Sequence, residues 1–516
     1  MAHEGKIDEL NQRKEMAKQM GGAKSVSKQH SLGKLTVRER IDLLVDKGSF
    51  DEIGILAGIP EYEDGKLKSF LPDNAVTGMG KIDGRPVCIN GSDWTTPGLS
   101  SGAGGGKTCF IERMALDWRM PVVRLLDAGG TRLTMMENIG HAVIPANPEL
   151  PYQAKLLAEV PVVSAVVGSA GGWVGVIAAL SHWNVMTKKN AQLFVGGPPV
   201  IKRAFNIDIS KEELGNYKIH AEKSGVVYNV AENEQDAFDQ VKSFLSYLPG
   251  NVWEQPPCTE NDDDPERRDE ELLSIIPENP GRTFDMRKLI KMVADRDSVF
   301  EIGPLHAPSL TTCLARMNGI PVAVMGNNRK FHGGAQTAAA CDKMMRFVDL
   351  ADTFHLPIIY FVDVPGFMIG PDSEVEGTLR KAARTAVAIQ QTTTPWLSVV
   401  VGRCYGVAGW FHKNEGRTGM RYAWTTARWG SLPIAGGALA AHGDEIRNAA
   451  DPEKKLKEIE QKLEQMTSPF RTAEAFGIEE IIDPRETRSI LCNFVKMSRR
   501  IGATQLGPKF RYGIRP

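Results

Sequence analysis

The N-terminal region is dominated by charged positions interleaved with apolar ones at helical spacing. The run from Ile7 to Met20 is rich in Glu, Lys, Gln and Met, which favour helix, and a further helix is predicted from Thr36, with Glu39 at capping-box spacing. Residues 1–46 therefore read as a charged helical element packed on a larger body. Beyond it the pattern changes to short β-branched runs ending in Asp or Gly: MPVVRLLDAGG, VPVVSAVVG, LPIIYFVDVPG and TPWLSVVVG. Each leads into a helix-like stretch, which is the βαβ rhythm of an α/β protein. The uncharged span Val160–Leu180 is long enough to cross a bilayer. Its Gly-Ser-Ala-Gly-Gly interruption predicts a buried strand, a glycine turn and a buried helix instead.

The apolar runs recur in order. RIDLLVDKGSFDEIG ends at Gly54 and RKLIKMVADRDSVFEIG at Gly303. Gly84 then pairs with Gly319, Asp127 with Asp363, and Gly168 with Gly402. Four landmarks at nearly constant spacing predict a tandem duplication. The Pro-rich, acidic stretch within 255–283 predicts a linker between the halves, because its composition buries little surface. The expected domains are 1–260, a linker over 261–283, and 284–516.

Composition narrows the function. The 516 residues carry 62 Lys+Arg and 63 Asp+Glu, a formal net charge of −1. No global positive field exists to gather phosphates, so a nucleic-acid or anionic-membrane partner is not expected. Seven scattered cysteines with no C-x-x-C pair argue against a zinc ribbon or disulfide framework and fit a reducing compartment. The opening MAHEGKIDEL has no apolar signal core, and a cytoplasmic location is expected.

Candidate chemistry concentrates at glycine turns. The ends of VVRLLDAGG and VVSAVVGSAGG, and of IIYFVDVPG and LSVVVGRCYG, expose backbone N–H groups where helices begin, which suits an oxyanion. The candidates there are Gly129, Gly130, Gly171 and Gly172 in the first half and Gly406, Val407 and Ala408 in the second, with Trp173 and Gly366 beside them. Ser101–Thr108 resembles a P-loop but has Ser101 where the pattern needs glycine, and no strand precedes it. Its amides and Lys107 remain candidates for a phosphate-bearing ligand. Gly98–Gly102 matches G-x-S-x-G but lacks the strand a nucleophile elbow needs. His182 and His332 lie near the glycine turns, where structural hydrogen bonding is the ordinary role. No histidine spacing supports a metal site. Val495-Lys-Met-Ser498 lacks the first methionine of a biotin-carrying hairpin, and no ATP-binding glycine loop accompanies it.

Lys28-Gln-His-Ser-Leu-Gly-Lys-Leu-Thr-Val-Arg-Glu-Arg40 followed by Phe50-Asp-Glu-Ile-Gly54 resembles the N-terminal signature of acyl-CoA carboxylase carboxyltransferase (β) subunits, the propionyl-CoA and methylcrotonyl-CoA carboxylase family. Met186–Lys189, Gly197–Lys202, Glu213–Gly215, His220 and Ser224-Gly225 are similar to its first half. Phe361–Phe367, Tyr405-Gly406, Tyr422–Trp424 and Ile481–Thr487 are similar to its second. The resemblance implies two crotonase-like (ClpP/crotonase) ββα-spiral domains and a hexamer. It implies coenzyme A thioesters as substrates, no metal, and biotin carried by a partner, with biotin carboxylase and biotin carboxyl carrier subunits as the partners. It also implies oxyanion holes, for the acyl-CoA in the first half and for carboxybiotin in the second. By the same resemblance Trp410 lies beside the acyl group, unless the turn is shifted and it packs in the core with Phe411.

The chain departs from the family's pattern at the turns. Ala128-Gly-Gly-Thr-Arg132 stands for Ser-Gly-Gly-Ala-Arg, Ala170-Gly-Gly-Trp-Val174 for Ala-Gly-Gly-Ala-Tyr, Tyr405-Gly-Val-Ala-Gly409 for Tyr-Gly-Gly-Ala-Tyr, and Leu379-Arg-Lys-Ala-Ala383 for Ile-Arg-His-Gly-Ala. Backbone donors tolerate such changes better than a side-chain catalyst would. The alternatives are a biotin-dependent decarboxylase subunit running the transfer backwards, a biotin-independent crotonase-like hydrolase or isomerase, and a non-catalytic scaffold.

Overall fold

Continuous β-branched runs with no polar alternation make strands that are buried on both faces, the inner strands of a parallel sheet. Two such sheets organise the chain. The computed structural model describes residues 4–96, 105–129, 140–142, 144, 146–279 and 281–509.

In the first half the strands are β1 (Asp51–Ile53), β2 (Gly58–Glu63), β3 (Lys66–Pro72), β4 (Ala75–Ile82), β5 (Arg85–Ser92), β6 (Val122–Ala128), β7 (Val162–Gly171), β8 (Trp183–Thr187), β9 (Gln192–Phe194) and β10 (Asn229–Ala231). The sheet order is β1-β4-β5-β6-β7-β8-β10, with β9 also on β7, while β2 and β3 form a separate hairpin. Within the sheet the β1–β4 and β4–β5 pairings are antiparallel and the remaining ones parallel; the β2–β3 hairpin is antiparallel. The span Val160–Leu180 resolves as expected into β7, a turn at Gly172 and the helix Trp173–Ala179. No described helix is long and apolar enough to cross a membrane. The N-terminal region holds three helices, Glu4–Lys18, Ala23–Ser31 and Val37–Leu44, where two were expected. Met20 (φ 53°) and Gly22 (φ 84°) turn the chain between the first two. The capping box at Thr36 and Glu39 forms as predicted.

The second half repeats this plan with β11 (Phe300–Glu301), β12 (Leu310–Met317), β13 (Ile320–Asn327), β14 (Ile358–Val364), β15 (Trp396–Tyr405), β16 (Met420–Trp424), β17 (Arg428–Gly430) and β18 (Glu480–Ile482). The order is β11-β12-β13-β14-β15-β16-β18, with β17 also on β15. Strand for strand this is the first sheet again, which is what the repeated landmarks predicted.

The chain divides into two units, Met1–Glu254 with Gly507–Pro516, and Gln255–Leu506. The acidic stretch 261–283, expected as a linker, belongs to the second unit. Asp263 accepts from Arg267 (2.9 Å), and the buried Arg488 donates to the Asp264 carbonyl at 2.8 Å. Leu272, Ile275 and Ile276 enter that unit's core. Asp263 is paired by Arg267, four residues on, and lies 3.5 Å from the guanidinium of Arg488, which comes from the far end of the unit.

Candidate functional site

The two candidate turns are built by the same device. Between Leu126 and Ala128, β6 advances two residues while β7 advances four. Between Val362 and Val364, β14 and β15 do the same. The bulge bends the longer strand away from its first neighbour. Val163–Val166 pair with β8, but Ser169–Gly171 pair with β9. Likewise Leu397–Val400 pair with β16, and Arg403–Tyr405 with β17. The strand end is thereby split off, and the chain then turns sharply into a helix.

An aspartate fills each bulge. Asp127 and Asp363 are fully buried. A Cβ on Gly168 would overlap the Asp127 carboxylate, and one on Gly402 the Asp363 carboxylate. The carboxylates are held by cations. Lys34 Nζ donates to Asp127 at 2.7 Å, Arg40 Nη1 at 3.0 Å, and Gln29 Nε2 at 3.3 Å. Arg40 also reaches the Val167 carbonyl inside the bulge, at 3.0 Å. Asp363 receives Arg329 through two bonds, at 2.8 and 2.9 Å, and the Arg403 amide and guanidinium, at 2.8 and 2.9 Å. Burial alone would raise the Asp363 pKa, but the two guanidiniums outweigh it and hold it below the ordinary value. The Lys-Leu-Thr-Val-Arg-Glu-Arg segment thus supplies the clamp of the first bulge. The sequence flagged both Asp–Gly pairs as repeat landmarks without revealing that the glycine exists to admit the aspartate.

At the first turn Gly172 (φ 60°, ψ −128°) occupies a backbone region that only glycine adopts freely. Its N–H is not free: it donates to the Phe194 carbonyl at 3.0 Å. The amides of Trp173 and Val174 head the helix, where no intrahelical acceptor exists, and they have no partner among the described residues. The donors at this turn therefore lie one and two residues beyond the glycine pair Gly171-Gly172. At the second turn Gly406 (φ 62°) opens the helical segment Gly406–Gly409, and the Val407 and Ala408 amides stand in the matching positions. Val407 is 51% exposed and Ala408 buried. Trp410 is 66% exposed, so it is not a core residue; Phe411 is, packing edge-on against Phe367 at 5.6 Å.

The other candidates divide. Gly129 lies against the indole of Trp94 (3.8 Å to the nearest ring carbon for a Cβ placed there). Gly130 and the P-loop-like residues 98–104 lie outside the described residues. Gly366 (φ 134°) follows β14, and its carbonyl accepts from Gln336 N–H at 3.0 Å. Lys107, expected to meet a ligand phosphate, donates to the Ala75 carbonyl at 2.8 Å and packs under Gly54. Burial lowers its pKa, opposed by Asp73. One of the three donors of this ammonium is thus spent on the protein's own backbone. Trp94, which no sequence motif singles out, carries the Lys34 and Lys211 ammoniums, each 5.6 Å from its ring centre. His182 is structural: Nδ1 accepts from Val162 N–H and Nε2 donates to the Leu157 carbonyl, both at 3.0 Å. His332 is exposed, at φ 47°. The cysteines are free thiols. Among the described residues no group of three His, Cys, Asp or Glu is placed to hold a metal.

Such an arrangement gives paired backbone donors at a bent strand end, twice. Residues 28–511 match the family described as carboxyl transferase domain. The chain is 32% identical over 505 residues to the carboxyltransferase subunit of propionyl-CoA carboxylase from Haloferax mediterranei, covering 96% of each. It is equally 32% identical over 496 residues to the methylmalonyl-CoA decarboxylase subunit alpha of Veillonella parvula, covering 95% of each. Among solved structures, the transcarboxylase 12S hexamer with methylmalonyl-CoA bound superposes with a TM-score of 0.87 at 30% identity, covering 96% of this chain and 95% of that one.

Proposed function

This chain belongs to the carboxyl transferase domain family, and from that premise we propose that it is the carboxyltransferase subunit of a biotin-dependent acyl-CoA carboxylase in which each unit's turn serves one of the two substrates. The observation that carries the reading is the doubled turn. One reaction with two carbonyl-bearing partners needs two sets of donors, and the chain builds the same set twice.

The Trp173 and Val174 amides are assigned to the acyl-CoA thioester oxygen. Removing the α-proton moves negative charge onto that oxygen as an enolate, and each aimed donor contributes roughly 3 kcal/mol of transition-state stabilisation. The Val407 and Ala408 amides are assigned to the ureido oxygen of biotin, and their donor chemistry fits that acceptor. When bound, biotin on its carrier supplies the carboxyl group from its ring nitrogen and takes up the α-proton there. No carboxylate or histidine of this chain is then required as a base. Trp410, exposed beside the second turn, gives the acyl group a rigid wall. The same transition state serves carboxylation and decarboxylation, so the partner chains set the direction. Assembly as a hexamer, as in transcarboxylase 12S, is part of the reading.

The test is reconstitution with a biotin carboxylase and a biotinylated carrier protein, ATP, labelled bicarbonate and a graded acyl-CoA series. Label fixed on an acyl-CoA is the expected outcome. No fixation with any acyl-CoA, and no release of label from the corresponding carboxylated thioesters, sinks the proposal.

A further inference from the structure

We infer that His412 is a positioning residue for the second turn, holding the Val407 and Ala408 amides in place by gripping the Gly409 carbonyl; this rests on the reading that those amides serve the biotin oxygen. The helical segment Gly406–Gly409 is four residues long and continues only as a single 3-10 turn, Trp410–His412. A helix this short does not sustain itself, and glycines at both ends loosen it further. Something outside it must fix where its amides point.

His412 Nδ1 lies 2.6 Å from the Gly409 carbonyl oxygen. A carbonyl only accepts, so Nδ1 carries the proton and, in the neutral ring, Nε2 holds the lone pair. Burial lowers the His412 pKa below its ordinary value, which favours that neutral form. Cys404 Sγ, at 3.6 Å, is a weak second donor to the same carbonyl. The histidine is itself anchored. Its carbonyl accepts from the Ser398 hydroxyl, and Ser398 Oγ accepts from the Trp396 indole N–H at 3.1 Å. Trp396 and Ser398 stand at the root of β15, so a line of hydrogen bonds ties the root of the strand to the segment that follows its tip. At the first turn the helix, Trp173–Ala179, runs seven residues, and its first internal bond, Val176 N–H to Gly172 O, forms at 3.2 Å. The second unit has a shorter helix and a side-chain clamp instead.

The test uses the reconstituted complex with His412→Leu and His412→Asn. The Asn amide N–H lies where Nδ1–H does, so it restores the donor without the ring. His412→Leu is expected to lower kcat about 10-fold or more, the scale of one lost buried hydrogen bond, with the acyl-CoA KM within about twofold of the parent. His412→Asn is expected to return kcat to within about threefold of the parent, by the same argument. Wild-type kcat in His412→Leu overturns the inference. So does a loss in both variants, which would make the ring's packing the cause. Should His412→Leu fail to assemble, His412→Asn alone decides: kcat within that range supports the clamp, and a larger loss overturns it. A wild-type complex that transfers no carboxyl group sinks the parent reading instead. Amide exchange at Val407 and Ala408, faster in His412→Leu and normal in His412→Asn, then still decides the positioning role.

Discussion

A single hydrogen atom in place of a methyl group shapes each turn. Gly168 and Gly402 leave the space into which a buried, cation-bound carboxylate fits. Gly168→Ala and Gly402→Ala must displace Asp127 or Asp363 from its ion pairs, and breaking a buried pair costs about 3–5 kcal/mol. Gly436→Ala is the contrast: that glycine lies within the helix Ile434–Arg447 with open space around it, so alanine should stabilise by up to about 1 kcal/mol. Thermal unfolding of the three variants checks this; midpoints moving together, or a stable Gly168→Ala, would show that the carboxylate is not tightly seated. Trp410 belongs to the same scale. Trp410→Ala should widen acyl-chain tolerance, changing the relative kcat/KM of short and long acyl-CoAs by about 10-fold or more. An unchanged ranking across the series would remove Trp410 from the pocket.

At the scale of elements, the turn and the short helix behind it act as one part. The Gly172 N–H is spent on Phe194, so the proposed donors belong to the helix's first residues. Trp173 is the N1 position, where proline is tolerated structurally because the amide has no helical acceptor. Trp173→Pro should therefore fold yet lower kcat by on the order of 100-fold, the cost of an oxyanion donor. Trp173→Ala keeps the amide and should lose far less. Equal losses in steady-state assays would point to the indole. His182 ties the root of β7 to the helix Leu150–Glu159 in its neutral form. Burial, opposed by its two backbone bonds, lowers its pKa from 6.5 to about 3. The unfolded chain binds a proton that the folded one refuses. The stability His182 contributes is thus present in full above about pH 6.5 and is lost as the pH falls from there through about 3, roughly 3 kcal/mol by about pH 4.5. His182→Asn does not titrate, so its stability deficit against the parent, measured by denaturant unfolding, should shrink between about pH 7 and about pH 4.5. A constant deficit would mean the ring titrates normally in the fold.

At the scale of the molecule, the chain supplies donors and no reagent. It has neither a biotin-accepting lysine motif nor an ATP-binding glycine loop in its sequence. The purified chain with ATP, labelled bicarbonate and an acyl-CoA should fix no label above background; fixation without a partner would refute the division of labour proposed here. The two units carry the same strand order, the same bulge and the same partner switch, but hold their aspartates by different means. The first uses Lys34 and Arg40 from the N-terminal helical region, and the second uses Arg329 and Arg403, the latter from β15 itself. An N-terminal extension is therefore part of the first site rather than a decoration on it.

The sequence by itself determined the α/β class, the duplication and the neighbourhood of both turns. Those follow from local information: β-branched runs make buried strands, glycine ends them, and a repeated pattern repeats its fold. Only the tertiary structure decided which amide at the first turn is free, because that depends on whether β9 lies close enough to take the Gly172 N–H. It alone turned Lys107 inward to a backbone carbonyl and put the acidic stretch 261–283 into the second unit, since each outcome is set by a partner tens or hundreds of residues away. It alone brought His412 to the Gly409 carbonyl. A histidine three residues past a glycine is unremarkable in sequence, and becomes a clamp only when a bulge bends the strand before it and a serine at that strand's root holds it from behind.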